Sequence, residues 1–203
     1  MSDLIRLILA TRNPHKSREF AQILGSAFAL EDLRGHPEIG EIVEDGATFE
    51  ENARLKAITV SRQLPGLVLS DDSGLEVDSL GGAPGVFSAR YAGAGASDEA
   101  NRQKLLAELA ERGPDAARTA RFHCALALAR DGRVLAIYEG SVVGEIVRQA
   151  CGAAGFGYDP LFQPNEFAET FAELPAATKN SISHRGRAVA KMRQFLRGAN
   201  LLK

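Results

Sequence analysis

The chain has 203 residues, 45% hydrophobic and 25% charged, with a formal net charge of -2. That is length enough for one large domain or two small lobes with a real core. The charge balance excludes the basic excess of a general nucleic-acid binder.

Leu4 to Ala10 is a short apolar run broken by Arg6, and it predicts a buried strand. Thr11 to Pro14 is loop. Asn13 reads as an N-cap and Pro14 as the first residue of a helix that runs to about Leu24. Phe20, Ile23 and Leu24 form its apolar face, and Gly25 ends it. Thr48-Phe49-Glu50-Glu51 is a capping box that opens a second helix to about Leu64. Pro65-Gly66 stops that helix, and Leu67 to Ser70 predicts the next strand. From Ser70 to Gly93 the chain is too rich in Gly and Pro for a helix or a central strand. Ser97-Asp98-Glu99 starts a third helix, stopped by Gly113-Pro114. Thr119 to Arg130 and Arg133 to Val147 flank Asp131-Gly132, a hairpin signal. The Ala-rich stretch Ala125 to Ala129 would also suit a helix. A last helix is expected from Ser183 or His184 to about Leu196, with Ala188, Met192 and Phe195 on one face. Helices and strands mix throughout, so the fold class is α/β with a mixed sheet. Nothing in the sequence repeats, and no low-complexity tract or long linker divides it.

Cys124 and Cys151 are too few for a disulfide framework or a cysteine zinc site. Met1 to Arg6 lacks a signal-peptide pattern, and no run approaches the ~18 apolar residues of a membrane span. A reducing cytoplasm is the expected compartment.

The chemistry gathers at Asp71 and Asp72, paired carboxylates where a strand gives way to a loop. Such a place fixes a side chain and leaves room for a ligand. An Asp pair can also simply end a strand and cap a turn. Successive strand residues face opposite ways, so the two are not expected to act on one atom. Asp71 is expected to bond structure behind the site. Glu44 lies in an acidic stretch with Glu41, Asp45, Glu50 and Glu51, which could be solvated surface. Glu44 and Asp72 together would supply hard oxygen ligands for Mg²⁺, which takes one or two protein carboxylates plus phosphate oxygens and water. Thr11 to Lys16 joins a strand to a helix N-terminus, where N–H groups and the dipole attract anions. Ordinary capping with a solvated lysine is the competing reading, and the loop is not a Walker A motif. Asn52 and Lys56 share one helix face. Ser73 offers a hydroxyl next to the Asp pair. Phe156, between Gly155 and Gly157, could stack on a flat ligand, or fold into the core. Lys179, Ser183, His184 and Arg185 gather donors at a helix start. No Ser–His or Cys–His nucleophile stands out, so direct attack by water is the simplest hydrolytic chemistry.

Five blocks carry a resemblance over nearly the whole chain: T11-R-N-P-H-K16, E44-D-G-A-T-F-E-E-N-A53 with Lys56, S70-D-D-S-G-L-E-V-D-S-L-G-G-A-P-G-V-F-S-A-R-Y-A-G93, F156-G-Y-D159, and K179-N-S-I-S-H-R-G186. Together and in this order they resemble the non-canonical purine nucleoside triphosphate pyrophosphatases, the inosine triphosphatase family. The family usually carries Gly where this chain has Arg12. The resemblance implies an elongated mixed sheet flanked by helices, in two lobes with an active-site cleft between them, as a single domain over residues 1–203. It implies Mg²⁺ on Glu44 and Asp72, with Asp72 as catalytic base. It implies substrate contacts from Thr11, Arg12, Asn13, Pro14, His15, Lys16, Lys56 and Ser73, and from Phe156, Gly157, Tyr158, Asp159, Lys179, His184 and Arg185. The implied reaction takes ITP, dITP or XTP to the monophosphate and pyrophosphate, and the implied assembly is a homodimer, with neither nucleic acid nor membrane as partner. A nucleotide-binding regulator that does not hydrolyse, and a broad-specificity nucleotide pyrophosphatase, are the alternatives.

Overall fold

The computed structural model describes residues 4–198. Its strands are β1 (Ile5–Leu9), β2 (Phe28–Asp32), β3 (Leu67–Val77), β4 (Thr119–Arg130), β5 (Arg133–Ile146) and β6 (Phe162–Pro164). Its α-helices are α1 (Pro14–Leu24), α2 (Phe49–Ser61), α3 (Asp98–Glu111), α4 (Ala176–Ile182) and α5 (His184–Gly198). The strands form a six-stranded sheet in the order β2-β1-β3-β4-β5-β6. β1 runs parallel to β2 and β3, while β5 and β6 are antiparallel, so the sheet is mixed as expected. The helix starts follow the sequence signals. Asn13 caps α1 with Pro14 inside it, Thr48 caps α2, and Ser97 caps α3. Asp131 and Gly132 take positive φ of 52° and 74° between β4 and β5, the backbone that a two-residue hairpin turn requires.

Four expectations are corrected. The stretch after Ser70 is not loop at its start: β3 continues to Val77 and lies inside the sheet. The glycines and proline that argued otherwise cluster later, from Gly81 on. Two short strands, β2 and β6, carry no strong alternation and were not predicted. The donor cluster at Lys179 to Arg185 spans two helices, because Ser183 is extended (ψ 160°) and separates α4 from α5. On α5 the inward stripe is Ala188, Val189, Met192 and Leu196, whereas Phe195 is largely exposed and tilts against Tyr138.

The described chain groups into two compact units. The first runs to Asp72 and adds Cys124–Gly140 and the segment from His184. Leu7 to Leu9 of β1 and Leu67 to Leu69 of β3 are buried on both faces, as central parallel strands usually are. Leu7, Leu9, Leu67 and Leu69 enter one core with Phe20, Leu126, Leu128 and Met192. The intervening Ile8 and Val68 enter another with Leu33, Ile39 and Val60. The period of two along each strand makes this division. Ala125 to Ala129 is fully buried in β4, and small side chains suit a strand packed on both sides.

The second unit comprises Ser73–His123 and Ser141–Ser183. Its core joins Leu75 and Val77 to Leu105, Leu109, Val142 and Ile146. Phe122 meets Phe162 edge-on, with ring centroids 4.8 Å apart, and stacks on Phe171 at 5.9 Å.

Candidate active site

In the first unit, helix α2 turns a mixed stripe inward: Phe49, Asn52, Ala53, Lys56, Ala57 and Val60 are all buried. A buried lysine needs anionic partners. The Lys56 ammonium donates to Glu44 Oε2 at 2.9 Å, to the Asp71 carbonyl at 2.9 Å and to Asp72 Oδ1 at 3.3 Å. Glu44 and Asp72 therefore meet around one positive charge. Asn52, fully buried, joins the same two segments. Its Oδ1 accepts from Gly46 N–H at 2.8 Å, and its Nδ2 donates to Asp72 Oδ2 at 3.1 Å. Gly46 must be glycine for this approach: a Cβ there would lie 2.7 Å from Asn52 Oδ1 and 2.8 Å from Glu51 Cβ. So the irregular acidic loop carrying Glu44 is tied to α2 and to the middle of β3, which carries Asp72.

Burial pushes the Asp72 carboxyl up to about 6 against the pull of Lys56 and Lys16, and the charges of Glu44 and Asp71 push the same way. Glu44 is also raised by burial, but Lys56 and Lys16 outweigh this and hold it below the usual carboxylate range. Burial disfavours the Lys56 cation too, and Asp72 and Glu44 more than restore it.

Asp71 faces the other way. It accepts from Lys16 Nζ at 2.7 Å, from Arg185 Nε at 3.4 Å and from the Cys124 thiol at 3.1 Å. Arg185 Nη1 continues to Glu19 Oε2 at 3.0 Å. Burial disfavours the Asp71 anion, yet Lys16 and Arg185 hold its carboxyl far below its ordinary value. The same burial, with Asp71 alongside, pushes the Cys124 thiol well up. As expected from strand alternation, Asp71 bonds structure behind Asp72.

At the start of α1, Asn13 Oδ1 accepts from His15 N at 2.8 Å and Lys16 N at 3.3 Å, and Thr11 Oγ1 accepts from Asn13 N at 3.1 Å. His15 is exposed, and Arg18 lies 2.9 Å from its Nδ1. Arg12 is exposed. Its guanidinium donates to the carbonyls of Leu33 (2.5 Å), His36 (3.3 Å) and Ile39, and so fastens that loop. His184 and Arg185 are both buried at the start of α5. Asp45 is exposed, in line with a solvated acidic residue.

The second unit holds the F156-G-Y-D159 block. Gly155 and Gly157 both have positive φ, 76° and 60°, on either side of half-exposed Phe156. Asp159 Oδ2 accepts from Phe156 N at 2.9 Å and from Lys179 Nζ at 2.6 Å. The Lys179 ammonium lies 5.6 Å from the Phe156 ring centre, within cation–π reach. Tyr158 is buried and its hydroxyl donates to Ser88 O at 3.0 Å. Burial pushes this phenol above its ordinary value. Asp98 and Arg102 of α3 hold the two backbone groups of Gly157. Ser73 is half-buried in this unit.

The structure brings Lys16, Glu44, Lys56, Asp72 and Arg185 into the first unit and Phe156 to Asp159 with Lys179 into the second. Asn52 was read only for its helix face, and Glu19, Cys124, Asp98 and Arg102 were given no role in the site. One signal was available for Asn52: it falls on the inward stripe of α2, where a polar residue must find a partner.

The Ham1 family model matches residues 7–195. The chain belongs to the Ham1 family. A family relative from Listeria monocytogenes, named dITP/XTP pyrophosphatase, is 51% identical over 193 residues, 94% of this chain and 94% of its own. One of the same name from Geobacter sulfurreducens is 51% identical over 195 residues, 95% of this chain and 97% of its own. Among solved Ham1 structures, the HAM1 protein from Coxiella burnetii has a TM-score of 0.85 at 39% identity, covering 96% of this chain and 100% of its own. A nucleoside-triphosphatase / dITP/XTP pyrophosphatase from Mycobacterium abscessus has a TM-score of 0.73 at 41% identity, covering 93% and 98%. The Ham1 fold is thus matched over nearly the full length.

Proposed function

We propose that the protein hydrolyses non-canonical purine nucleoside triphosphates, ITP, dITP and XTP, to the monophosphate and pyrophosphate. The observation that carries this reading is the pair Glu44 and Asp72 gathered around the Lys56 ammonium, in a chain whose full-length relatives are named dITP/XTP pyrophosphatases.

Mg²⁺ is part of the proposal. Among the described residues no group of three or more His, Cys, Asp or Glu could hold a metal ion. Two carboxylates around one point of positive charge fit a hard cation that takes its remaining ligands from phosphate and water. Glu44 and Asp72 would hold it, and when bound it neutralises phosphate charge and polarises the reacting group. Asp72 is the base for the attacking water in this reading, as the resemblance implies. Asn52 holds Asp72 Oδ2 while Oδ1 faces Lys56. Lys16 and Lys56 bring ammonium charge for phosphate oxygens, exchanging part of their carboxylate contacts for the substrate's. Phosphoryl transfer depends on such positioning and charge more than on covalent help. Phe156, Lys179, His184 and Arg185 are assigned to the purine by resemblance. A C6 carbonyl meets a donor well, where the amino group of adenine does not.

The homodimer, by resemblance, and the cytoplasmic compartment, from the low cysteine content, are part of this reading. No helix among the described residues is long and apolar enough to cross a membrane. A panel of nucleoside triphosphates with Mg²⁺, scored for pyrophosphate against orthophosphate, tests the function. ITP, dITP and XTP should release pyrophosphate far faster than ATP and GTP, and chelation should stop the reaction. Equal turnover of ATP and ITP would instead indicate a broad-specificity pyrophosphatase, and binding without pyrophosphate a regulator.

A further inference from the structure

Helix α3 lies outside every motif block of the sequence, yet its first turn grips the loop that presents Phe156. Asp98 Oδ2 accepts from Gly157 N–H at 2.6 Å, and Arg102 Nη1 donates to Gly157 C=O at 2.7 Å. Positions 98 and 102 are four apart and so share one helix face. Both bonds involve an ionised side chain, which makes them stronger than neutral ones. Glu99 Oε2 accepts from Arg102 Nη2 at 2.6 Å and so holds the guanidinium in place.

The need for such a grip follows from the loop. Gly155 and Gly157 both take left-handed φ, and glycine is the residue with the least intrinsic preference for any one conformation. Without outside contacts, the direction of the Phe156 side chain would be poorly fixed. Four bonds to the loop backbone fix it: Phe156 N–H donates to the Asp159 carboxylate, Phe156 C=O accepts from Asp159 N–H, and the two groups of Gly157 bond to α3. Asp159 Oδ2 also binds Lys179, whose ammonium lies 5.6 Å from the Phe156 ring centre. Ring, lysine and α3 are therefore linked through one short stretch of backbone.

We propose that Asp98 and Arg102 are positioning residues for purine recognition, setting the orientation of Phe156 through Gly157. This rests on the reading that Phe156 meets the base. Asp98, Arg102 and Gly157 all belong to the second unit, so loss of either side chain should act on ligands that carry a base and spare those that do not.

The test compares inhibition by IMP, which carries a base, with inhibition by pyrophosphate, which does not. The parent enzyme is first shown to release pyrophosphate from ITP; if it does not, the substrate reading fails independently of this proposal. In Asp98→Ala and Arg102→Ala the IMP inhibition constant and the KM for ITP should rise about tenfold, as expected for loss of a charge-assisted bond. The pyrophosphate constant should stay within about twofold. Asp98→Asn keeps an acceptor for Gly157 N–H and should restore IMP binding to within about twofold of the parent. The chain has no tryptophan and three tyrosines, so Phe156→Trp supplies a single tryptophan that can be excited selectively at the red edge of its absorption. Its anisotropy should fall when Asp98→Ala is added, with thermal melting as the check on folding. IMP and pyrophosphate weakened equally, or IMP unaffected in both alanine variants, would overturn the proposal.

Discussion

Asp71 and Asp72 are neighbours in sequence with opposite electrostatic fates. Asp71, bound by Lys16 and Arg185, is held as an anion. Asp72 is raised to about 6, with burial as the largest cause. The first belongs to a buried ion-pair network, and the second is the base of the proposed reaction. Asp71→Asn would leave the buried Arg185 and Lys16 short of their anion. Breaking a buried pair this way costs about 3–5 kcal/mol, and urea denaturation should show a loss of that order; a change below about 1 kcal/mol would refute the structural role. Asp72→Asn should cost at least about a hundredfold in turnover, since both base and charge are lost. It also carries a signature in stability. A carboxyl whose folded pKa is raised stabilises the fold fully below its unfolded pKa, and that contribution is lost as pH rises through the folded value. For Asp72 the window runs from the ordinary 3.8 to about 6. In metal-free protein, the stability of the parent relative to Asp72→Asn should therefore fall by on the order of 2–3 kcal/mol between about pH 4 and pH 7. Comparing parent with variant cancels the carboxylates that do not interact with Asp72. A flat difference across that window would show that Asp72 is not raised.

At the scale of elements, two helices bring charge into the first unit by the same device. α2 places Asn52 and Lys56 on its inward stripe, and α5 places Arg185 at the head of its own. Each polar group lies one helical step from apolar residues that bury it, so packing aims the side chain. For α5 the approach depends on β5. A Cβ on Gly140 would collide with the His184 carbonyl and come within 2.7 Å of Ala188 N. These are backbone atoms, so the start of the helix would have to move. Gly140→Ala should lower stability by about 2–3 kcal/mol, the usual cost of forcing a group into a packed interior, seen as a lower melting temperature. Arg185 is carried on the same turn, so activity in the surviving folded protein should fall as well. A variant with the parent's melting temperature would mean that this contact is soft.

For the molecule as a whole, neither compact unit is a continuous piece of chain. The larger core of the first unit takes Leu7, Leu9 and Leu69 from the first segment, Leu126 and Leu128 from β4, and Ala188 and Met192 from α5. A fragment ending at Asp72 would expose the apolar face that these later residues cover, at about 25 cal/mol per Å². Such a fragment, made alone, should lack a cooperative thermal transition and near-native helix content by circular dichroism. A sharp melt would mean that the smaller core around Ile8, Val68 and Val60 suffices to fold it.

The local signals were read correctly where the physics is local. Caps at Asn13, Thr48 and Ser97, the Asp131-Gly132 turn and the apolar runs of β1 and β4 each depend on residues a few positions apart. The mixed sheet followed from helical and strand patterns interleaved along the chain, and the family from motifs written in order. The extension of β3 to Val77 was missed because Gly74 and the later glycines dilute the strand signal; apolar packing of Leu75 and Val77 decides it. The short strands β2 and β6 owe their form to neighbours rather than to their own composition, as edge and near-edge strands do. Sequence reading separated Asp71 from Asp72 by strand alternation alone. It had no means of finding that Arg12 fastens the loop around Ile39, that Glu19 and Cys124 join the buried network of Asp71, or that Asp98 and Arg102 hold Gly157. Those partners lie from 27 to 166 residues apart in the chain. Which charge meets which at such separations is fixed by the cost of leaving any of them buried alone, and only the folded chain brings the candidates within reach.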